Sequence, residues 1–169
     1  MARLTPAQFM DEVIYRQIRI TRYAAGRVRF VRNLVDELND GIAIYLLKKE
    51  KMETKGQVAD SRKYIRAKCL EYRERLYNYL QKELRDFVEE QGEWIYANSP
   101  VELKKKNPDT IYNNIFFEAF SDNETITAFI QRIFNQILQL WNARLSIAYR
   151  TGQPMKDMVK LVLDREVKG

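Results

Sequence analysis

The chain has 169 residues, of which 46% are hydrophobic and 31% charged, and its formal net charge is +6. This length and composition are typical of one folded domain with a core and exclude a disordered chain. The absence of histidine and the presence of one cysteine exclude serine–histidine and cysteine–histidine catalysis, the common histidine-containing zinc sites and an intramolecular disulfide. The longest apolar run, residues 42–47, is far shorter than the roughly 20 residues of a membrane span, so none is expected.

The first predicted element is one long amphipathic helix that ends at about residue 47. Thr5 is a candidate N-cap, Pro6 suits the first helical position and Gln8 completes a capping box. Apolar residues then recur at helical spacing within an arc about 80° wide. They are Val13, Ile20, Ala24, Val28, Val31, Val35, Leu38 and Ile42. Residues 39–41 are the weak point, where the helix is expected to kink or to end early.

A second long helix is predicted from about residue 58 to residue 98, after a reversal at residues 54–56. Its apolar residues follow spacings of three, four and seven, close to a heptad. They are Val58, Ile65, Cys69, Tyr72, Leu76, Tyr79, Leu80, Phe87 and Trp94. Cys69 is expected to be a core residue, because a reactive thiol needs an exposed, electropositive setting. Two helices of about 40 residues joined by a short reversal should be antiparallel neighbours, each about 60 Å long.

Shorter helical elements are predicted in the remainder of the chain. Capping boxes at residues 99–102 and 121–124 flank an aromatic stretch at residues 111–120. We expect that stretch to close the end of the bundle, with a partner-binding patch as the alternative. A strong helix follows and stops at Gly152, and Pro154 begins a last helix. Four apolar residues of this last helix require a packing partner, supplied by this chain or by a neighbour: Met155, Met158, Val159 and Val162.

No segment alternates as a β-strand does, so the sequence predicts an all-α protein. The expected architecture is an elongated long-helix antiparallel hairpin plus a smaller C-terminal helical unit. The hairpin is predicted over residues 1–98, and the C-terminal unit, over residues 99–169, is expected to pack on or beside it. A single structural domain is the alternative.

The basic charge is concentrated in the first predicted helix. Residues 1–35 contain seven arginines, no lysine and two acidic residues, whereas the other 134 residues carry 22 basic and 21 acidic side chains. One interpretation is contact with a nucleic-acid backbone or an acidic protein surface. The other is a solvated face that acidic residues of neighbouring helices partly neutralise. The predicted contact residues are Arg16, Arg19, Arg22, Arg29 and Arg32.

Two further features qualify this basic helix. Because Arg27 and Arg29 flank the apolar Val28, at least one arginine is expected at the packing boundary. Aromatic side chains are interleaved with the arginines and either stack on bases or cover the second helix. They are Tyr15, Tyr23 and Phe30.

No group of residues predicts catalysis. The glycines stand singly, so there is no glycine-rich phosphate loop. Neighbouring acidic residues occur at 36–37, 89–90 and 122–124, and a magnesium-dependent nuclease would have to bring such carboxylates together. Nothing in the sequence makes them converge, and charged helix faces usually carry such pairs. We therefore predict a non-enzymatic protein without a catalytic residue, cofactor or metal site.

Three stretches carry a resemblance to a known family. They are residues 12–18, with Arg16-Gln17 inside the first helix; residues 117–126, a Phe-rich turn before a major helix; and residues 143–155, a helix–glycine–helix element. Together they resemble the N-terminal helical region of phage head-morphogenesis proteins, the minor head protein family. The glycine expected in the Phe-rich turn is absent here, and the family's more characteristic C-terminal core would be expected to follow the last residue.

The resemblance implies a low-copy virion component near the portal, associated with packaged DNA or its delivery, and it brings no catalytic residue. We expect a structural protein of head morphogenesis, DNA packaging or DNA ejection, made in the host cytoplasm and located in the capsid or portal region. Its expected partners are the portal or other head proteins, double-stranded DNA and further copies of itself. The alternative is a free nucleic-acid-binding or regulatory helical module that uses the arginine-rich first helix.

Overall fold

A computed structural model of the chain describes residues 4–101, 113 and 125–164, except for the side chain of Tyr23. Regular structure in these residues is helical throughout, so the protein is all-α, as predicted. The helices are α1 (Pro6–Leu47), α2 (Lys55–Asn98), α3 (Ile126–Thr151) and α4 (Met155–Leu163). None of these four helices has both the length and the apolar character needed to cross a membrane.

Capping boxes begin both long helices. At α1, the Gln8 amide donates to Thr5 Oγ1 (3.3 Å) and the Thr5 amide donates to Gln8 Oε1 (3.1 Å), which confirms the predicted box. At α2, the Gln57 amide donates to Thr54 Oγ1 (3.2 Å) and the Thr54 amide donates to Gln57 Oε1 (3.3 Å). The reversal predicted at residues 54–56 is therefore wrong, because these residues begin α2 one turn earlier than expected.

Two predictions concern where α1 and α3 end, and the structure departs from the first and agrees with the second. α1 does not end early at residues 39–41, because Leu38, Ile42 and Leu46 on either side are fully buried and hold the helix in the core. α3 stops where predicted: Gly152 adopts a left-handed φ of 66°, and the Gln153 amide donates to the Ala148 carbonyl (3.0 Å). This pattern is a Schellman motif, which glycine forms without steric cost.

Some predicted elements lie wholly or partly outside the described residues. Ser99 is buried and its Oγ accepts a hydrogen bond from the Val101 amide, but Glu102 of that predicted capping box is not described. The box at residues 121–124 is also outside, and α3 is capped instead by Thr125, whose Oγ1 accepts from the Ala128 amide. The predicted aromatic cluster lies outside as well: Tyr112, Phe116, Phe117 and Phe120.

The chain divides into two compact units, and both long helices contribute to each of them. The first unit comprises Met1–Val31 and Tyr77–Ala128, and the second comprises Arg32–Leu76 and Phe129–Gly169. The division into domains at 1–98 and 99–169 stays a prediction.

The second unit contains most of the buried side chains among the described residues. All four helices contribute buried side chains to it, among them Leu38, Ile42, Leu46, Ile65, Leu76, Phe134, Trp141, Leu145, Met155, Met158 and Val159. The Trp141 indole N–H donates to Asn39 Oδ1 (2.9 Å), so the polar edge of this buried ring has its partner. The Met155 amide donates to the Glu50 carbonyl (3.0 Å) and ties the start of α4 to the segment after α1.

Contacts between α1 and α2 are antiparallel within each unit. In the first unit, Phe9 stacks on Trp94 and Phe30 stacks on Tyr79, so higher residue numbers on α1 meet lower ones on α2. In the second unit, Glu37 accepts a hydrogen bond from Tyr72 and Tyr45 stacks on Tyr64, which is the same antiparallel order. Stacked aromatic pairs of this kind add about 0.5–1.5 kcal/mol each beyond the area that they bury.

Candidate nucleic-acid interface

Four of the five predicted contact arginines lie exposed on α1. Arg19, Arg22 and Arg29 belong to the first unit, and Arg32 begins the second. Within the described part of the chain, none of the four forms an ion pair at 4.0 Å or less. Their guanidinium groups therefore face solvent and remain able to bind an anion.

The three exposed arginines of α1 that belong to the first unit, Arg19, Arg22 and Arg29, form a row along one side of the helix, which we call the arginine row. Arg22 and Arg29 are seven residues apart, which places them about 10 Å apart along the helix and about 20° apart around it. Arg19 lies about one turn before Arg22. A row of guanidinium forks along a helix suits a linear array of phosphates, because each fork binds two oxygens of one anion.

Arg16 is placed differently from the other predicted contact residues. Only 15% of its side chain is exposed, and its guanidinium lies 4.3 Å from the centre of the Trp94 ring. Its Nε and Nη2 donate to Gln91 Oε1 at 3.2 and 3.1 Å, and Nη2 lies 3.6 Å from Glu90 Oε1. The structure thus uses Arg16 to hold α1 against α2, and contact between Arg16 and an outside anion stays an untested prediction.

The expectation of an arginine at the packing boundary is confirmed by Arg27. Its half-buried side chain forms an ion pair with Glu83 of α2, and its guanidinium lies 5.9 Å from the centre of the Tyr79 ring. Arg29, on the other side of Val28, points to solvent.

The α2 half of the first unit explains this pairing. Residues 77–98 carry an excess of acidic over basic side chains, the opposite balance to that of α1. A shallow cleft between the two helices is lined by Arg16 and Arg19 together with Asp86 and Glu90. Neutralisation by a neighbouring helix therefore applies to the face of α1 that meets α2, and the arginine row extends from the edge of that face into solvent.

The interleaved aromatic residues also divide between the two expected roles. Phe30 stacks on Tyr79 with ring centres 3.8 Å apart and so covers α2. Tyr15 is 60% exposed and is accessible for stacking with a ligand. The side chain of Tyr23 lies outside the described part of the structure.

The neighbouring carboxylates serve helix packing where the structure describes them. Glu37 accepts hydrogen bonds from the Tyr72 hydroxyl (2.8 Å) and from Arg75 Nη1 (3.1 Å). The hydrogen bond from Arg75, followed by that from Tyr72, lowers the pKa of the Glu37 carboxyl below its usual value. No group of three or more acidic or cysteine side chains that could hold a metal occurs among the described residues, and the pair at 122–124 lies outside them.

The single cysteine has the properties expected of a core residue. Cys69 is buried in the second unit, and this burial raises the pKa of its thiol to about 11. At neutral pH the thiol is therefore protonated, which makes it a poor nucleophile.

The apolar residues of the last helix are packed by this chain. Met155, Met158 and Val159 are each at most 2% exposed, and Val162 is half-buried. The packing surface for this helix is therefore supplied by the chain itself and not by a neighbour.

An exposed apolar surface on α1 is the feature that the sequence interpretation missed. The predicted packed arc includes Val28 and Ala24, but both are exposed. Val28 instead lies with three other exposed residues on one side of the helix, which we call the apolar stripe: Met10, Ile14, Ile18 and Val28. Its signal is the i, i+4, i+8 spacing of the first three, and 18 residues, five full turns, separate Met10 from Val28.

Comparison with known proteins adds no family to this description. The chain matches no protein-family model, no curated protein and no solved structure. The resemblance to phage head-morphogenesis proteins thus depends on the three quoted stretches.

Proposed function

We propose that the chain is a non-enzymatic structural component of a phage head, associated with the portal or other head proteins and located in the virion. The support is the resemblance of its three stretches together with the helical scaffold. In this proposal the arginine row contacts the phosphates of packaged double-stranded DNA. The observation that carries the DNA contact is the row of three exposed arginines without a described ion pair.

The chemistry of the row suits a contact that does not depend on base sequence. Arginine binds phosphate oxygens in pairs, and neutralising three phosphates gives a slope of log affinity against log salt of about −3. A head component that meets DNA of any sequence needs this kind of contact, because phosphate contacts position a protein without reading bases.

We also propose that α1 and α2 form one elongated antiparallel hairpin on which the C-terminal helices pack. The antiparallel order of the contacts between α1 and α2 in both units supports this arrangement.

Oligomerisation is part of the proposal, with a second copy of the chain as the occupant of the apolar stripe. Asp11 and Arg29 lie on the same flank of the stripe, because the 18 residues between them complete five turns. When two stripes pack antiparallel about a two-fold axis, equal flanks meet, so Asp11 of one copy lies beside Arg29 of the other. Each of the two resulting pairs joins a negative and a positive side chain, and the two-fold symmetry gives a closed dimer.

The experiment for DNA contact is fluorescence anisotropy with a labelled duplex of arbitrary sequence, titrated over a range of salt concentrations. Arg22→Gln should weaken binding and reduce the salt slope by about one, and Arg19→Gln with Arg22→Gln should reduce it by about two, while Arg29, which the proposed dimer also uses, stays in place. Arg66→Gln is the control, because it removes an exposed arginine of α2 that is not part of the row, and it should leave the slope unchanged. A double variant that binds like the wild type would refute the DNA contact.

The same arginine row supports the alternative of a free nucleic-acid-binding helical module. Fractionation of virions separates the two proposals. A head component is recovered in DNA-filled particles, whereas a free module is recovered in the soluble fraction of infected cells.

A further inference from the structure

The second unit contains a groove that none of the proposals above uses. It lies between the first turns of α2 and the last turns of α3, encloses about 750 Å³ including its open rim, and we call it the α2–α3 groove. Its principal lining residues are Lys55, Val58, Arg62, Ser146, Tyr149 and Arg150. Buried Val58 contributes an apolar wall, and the charged groups are exposed.

The lining of this groove is entirely cationic in charge. Lys55 and Arg62 are two turns apart on α2, and Arg150 comes from α3, so two separate elements bring their charges to one groove. No described carboxylate lines the groove, and none of the three cations has an ion pair within the described residues. Like charges held near each other repel, and a bound anion removes that cost.

Hydrogen-bonding groups lie beside these charges. Arg62 Nη2 donates to Ser146 Oγ (2.7 Å), and Ser146 Oγ in turn donates to the Asn142 carbonyl (2.7 Å). This chain of bonds directs the guanidinium of Arg62 towards α3, where Tyr149 also lines the groove. The remaining N–H groups of Arg62 stay available to a ligand, because a guanidinium has five donors.

We infer that the α2–α3 groove is a binding site for a phosphate group. Two arginines and a lysine offer more donors than the two oxygens of a carboxylate can accept, whereas a phosphate presents three or four oxygens. The open, exposed rim suits a phosphate that is carried on a larger molecule, of which a nucleic-acid backbone is one source and a free polyphosphate another. This inference is independent of the proposed DNA contact on α1, because the two sets of residues share no member.

The test uses the full chain with Lys55→Gln and Arg150→Gln combined, which leaves Arg62 and its hydrogen bond to Ser146 in place. Both substituted side chains are exposed, so the fold should be retained, and circular dichroism checks this. Two probes are used: inorganic tripolyphosphate by calorimetry, and a duplex of about 20 base pairs by anisotropy. The matched control is Lys63→Gln with Lys156→Gln, which removes the same charge from exposed positions outside the groove lining.

We expect the groove variant to lose about tenfold or more in affinity for any probe that binds the wild type, and its salt slope with the duplex to fall by about two. The control should retain the slope. Loss of affinity for both probes supports a general phosphate site, and loss for the duplex alone supports a nucleic-acid backbone site. Loss for tripolyphosphate alone supports a free-polyphosphate site, with the duplex bound by the arginine row. The inference is overturned if the wild type binds neither probe, if the groove variant binds both probes as the wild type does, or if the control shows an equal loss. Substitutions in the arginine row test the proposed function separately.

Discussion

The two halves of α1 have similar apolar content but different surroundings. In the first unit no described residue of α1 is buried, and Met10, Ile14 and Val28 are each more than half exposed. In the second unit, Leu38 and Ile42 of the same helix are at most 1% exposed. Among the described residues, the second unit includes nearly all of α3 and the whole of α4 in addition to its parts of α1 and α2, and buried side chains of α3 and α4 complete the core around its part of α1.

The comparison also separates two ways of holding helices together. The second unit relies on buried apolar side chains, which contribute about 1.5–3 kcal/mol each. Among the described residues of the first unit only Val88 and Ser99 are buried, and α1 meets α2 through aromatic stacking and arginine contacts. Contacts of the second kind leave the outer face of α1 available to partners.

The largest expected effect tests this contrast in stability. Leu38→Ala should lower the free energy of unfolding by about 2–5 kcal/mol, because it leaves a cavity in the second unit. Ile14→Ala should change it by no more than about 0.5 kcal/mol when the protein is dilute enough to be monomeric. Urea unfolding followed by circular dichroism measures both. Equal losses would show that the stripe is part of a core and would remove the contrast.

The sequence allows the helices of both units to be predicted well, because their signals are local. The Thr5–Gln8 box, the apolar residues of α2 and the stop at Gly152 each depend on neighbours within a few residues. The start of α2 carries the same kind of signal in Thr54 and Gln57. Gly56 lies between them and also suggests a turn, which is why the sequence wrongly predicts a reversal at residues 54–56.

The positions of individual side chains are harder to predict, because they depend on distant partners. The helical pattern points Arg16 outwards, but a long guanidinium side chain can lie across an aromatic ring, and Trp94 is 78 positions further along the chain. Val28 and Leu38 share one predicted arc, yet only Leu38 is covered. Periodicity identifies an apolar face but not how many helices will pack on it.

A smaller effect is expected from the apolar stripe, and it tests whether exposure in the first unit serves association. Ile14→Glu with Ile18→Glu should abolish the dimer, because each contact would bury unpaired charges. The control is Leu70→Glu with Leu161→Glu, which alters two comparably exposed apolar residues of the second unit and should leave association intact. Sedimentation velocity over a range of concentrations measures both variants.

The antiparallel geometry of that dimer can be tested by exchanging charges. Asp11→Arg alone should weaken association about three- to tenfold, because it places a second guanidinium beside Arg29 of the other copy at two symmetric positions. Adding Arg29→Asp should restore the affinity, and sedimentation velocity again provides the measurement. A failure to restore it would exclude this register, and dimers that survive the glutamate substitutions would exclude the stripe as the interface.

The smallest expected effect is the loss of stability of the second unit at acidic pH. The pKa of Glu37 is lowered in the folded protein by its hydrogen bonds to Arg75 and Tyr72, so the folded state binds a proton at this carboxyl less readily than the unfolded chain does. The stabilisation is therefore complete above the ordinary carboxyl pKa of 4.5 and is lost as the pH falls through the lowered value. Because Glu37 lies at the surface, the contribution is small.

Substitution of this carboxyl should reproduce that dependence. Glu37→Gln should lower the Tm slightly at pH 7, and the difference from the wild type should shrink as the pH falls below 4.5, since the wild-type carboxyl then becomes neutral as well. Glu74→Gln is the control, because this exposed carboxylate of α2, next to Arg75 in the chain, has no described ion pair. A difference that persists unchanged to low pH would mean that Glu37 acts through packing rather than charge. The contacts of Glu37 would then stabilise the second unit through packing, as the buried side chains of its core do.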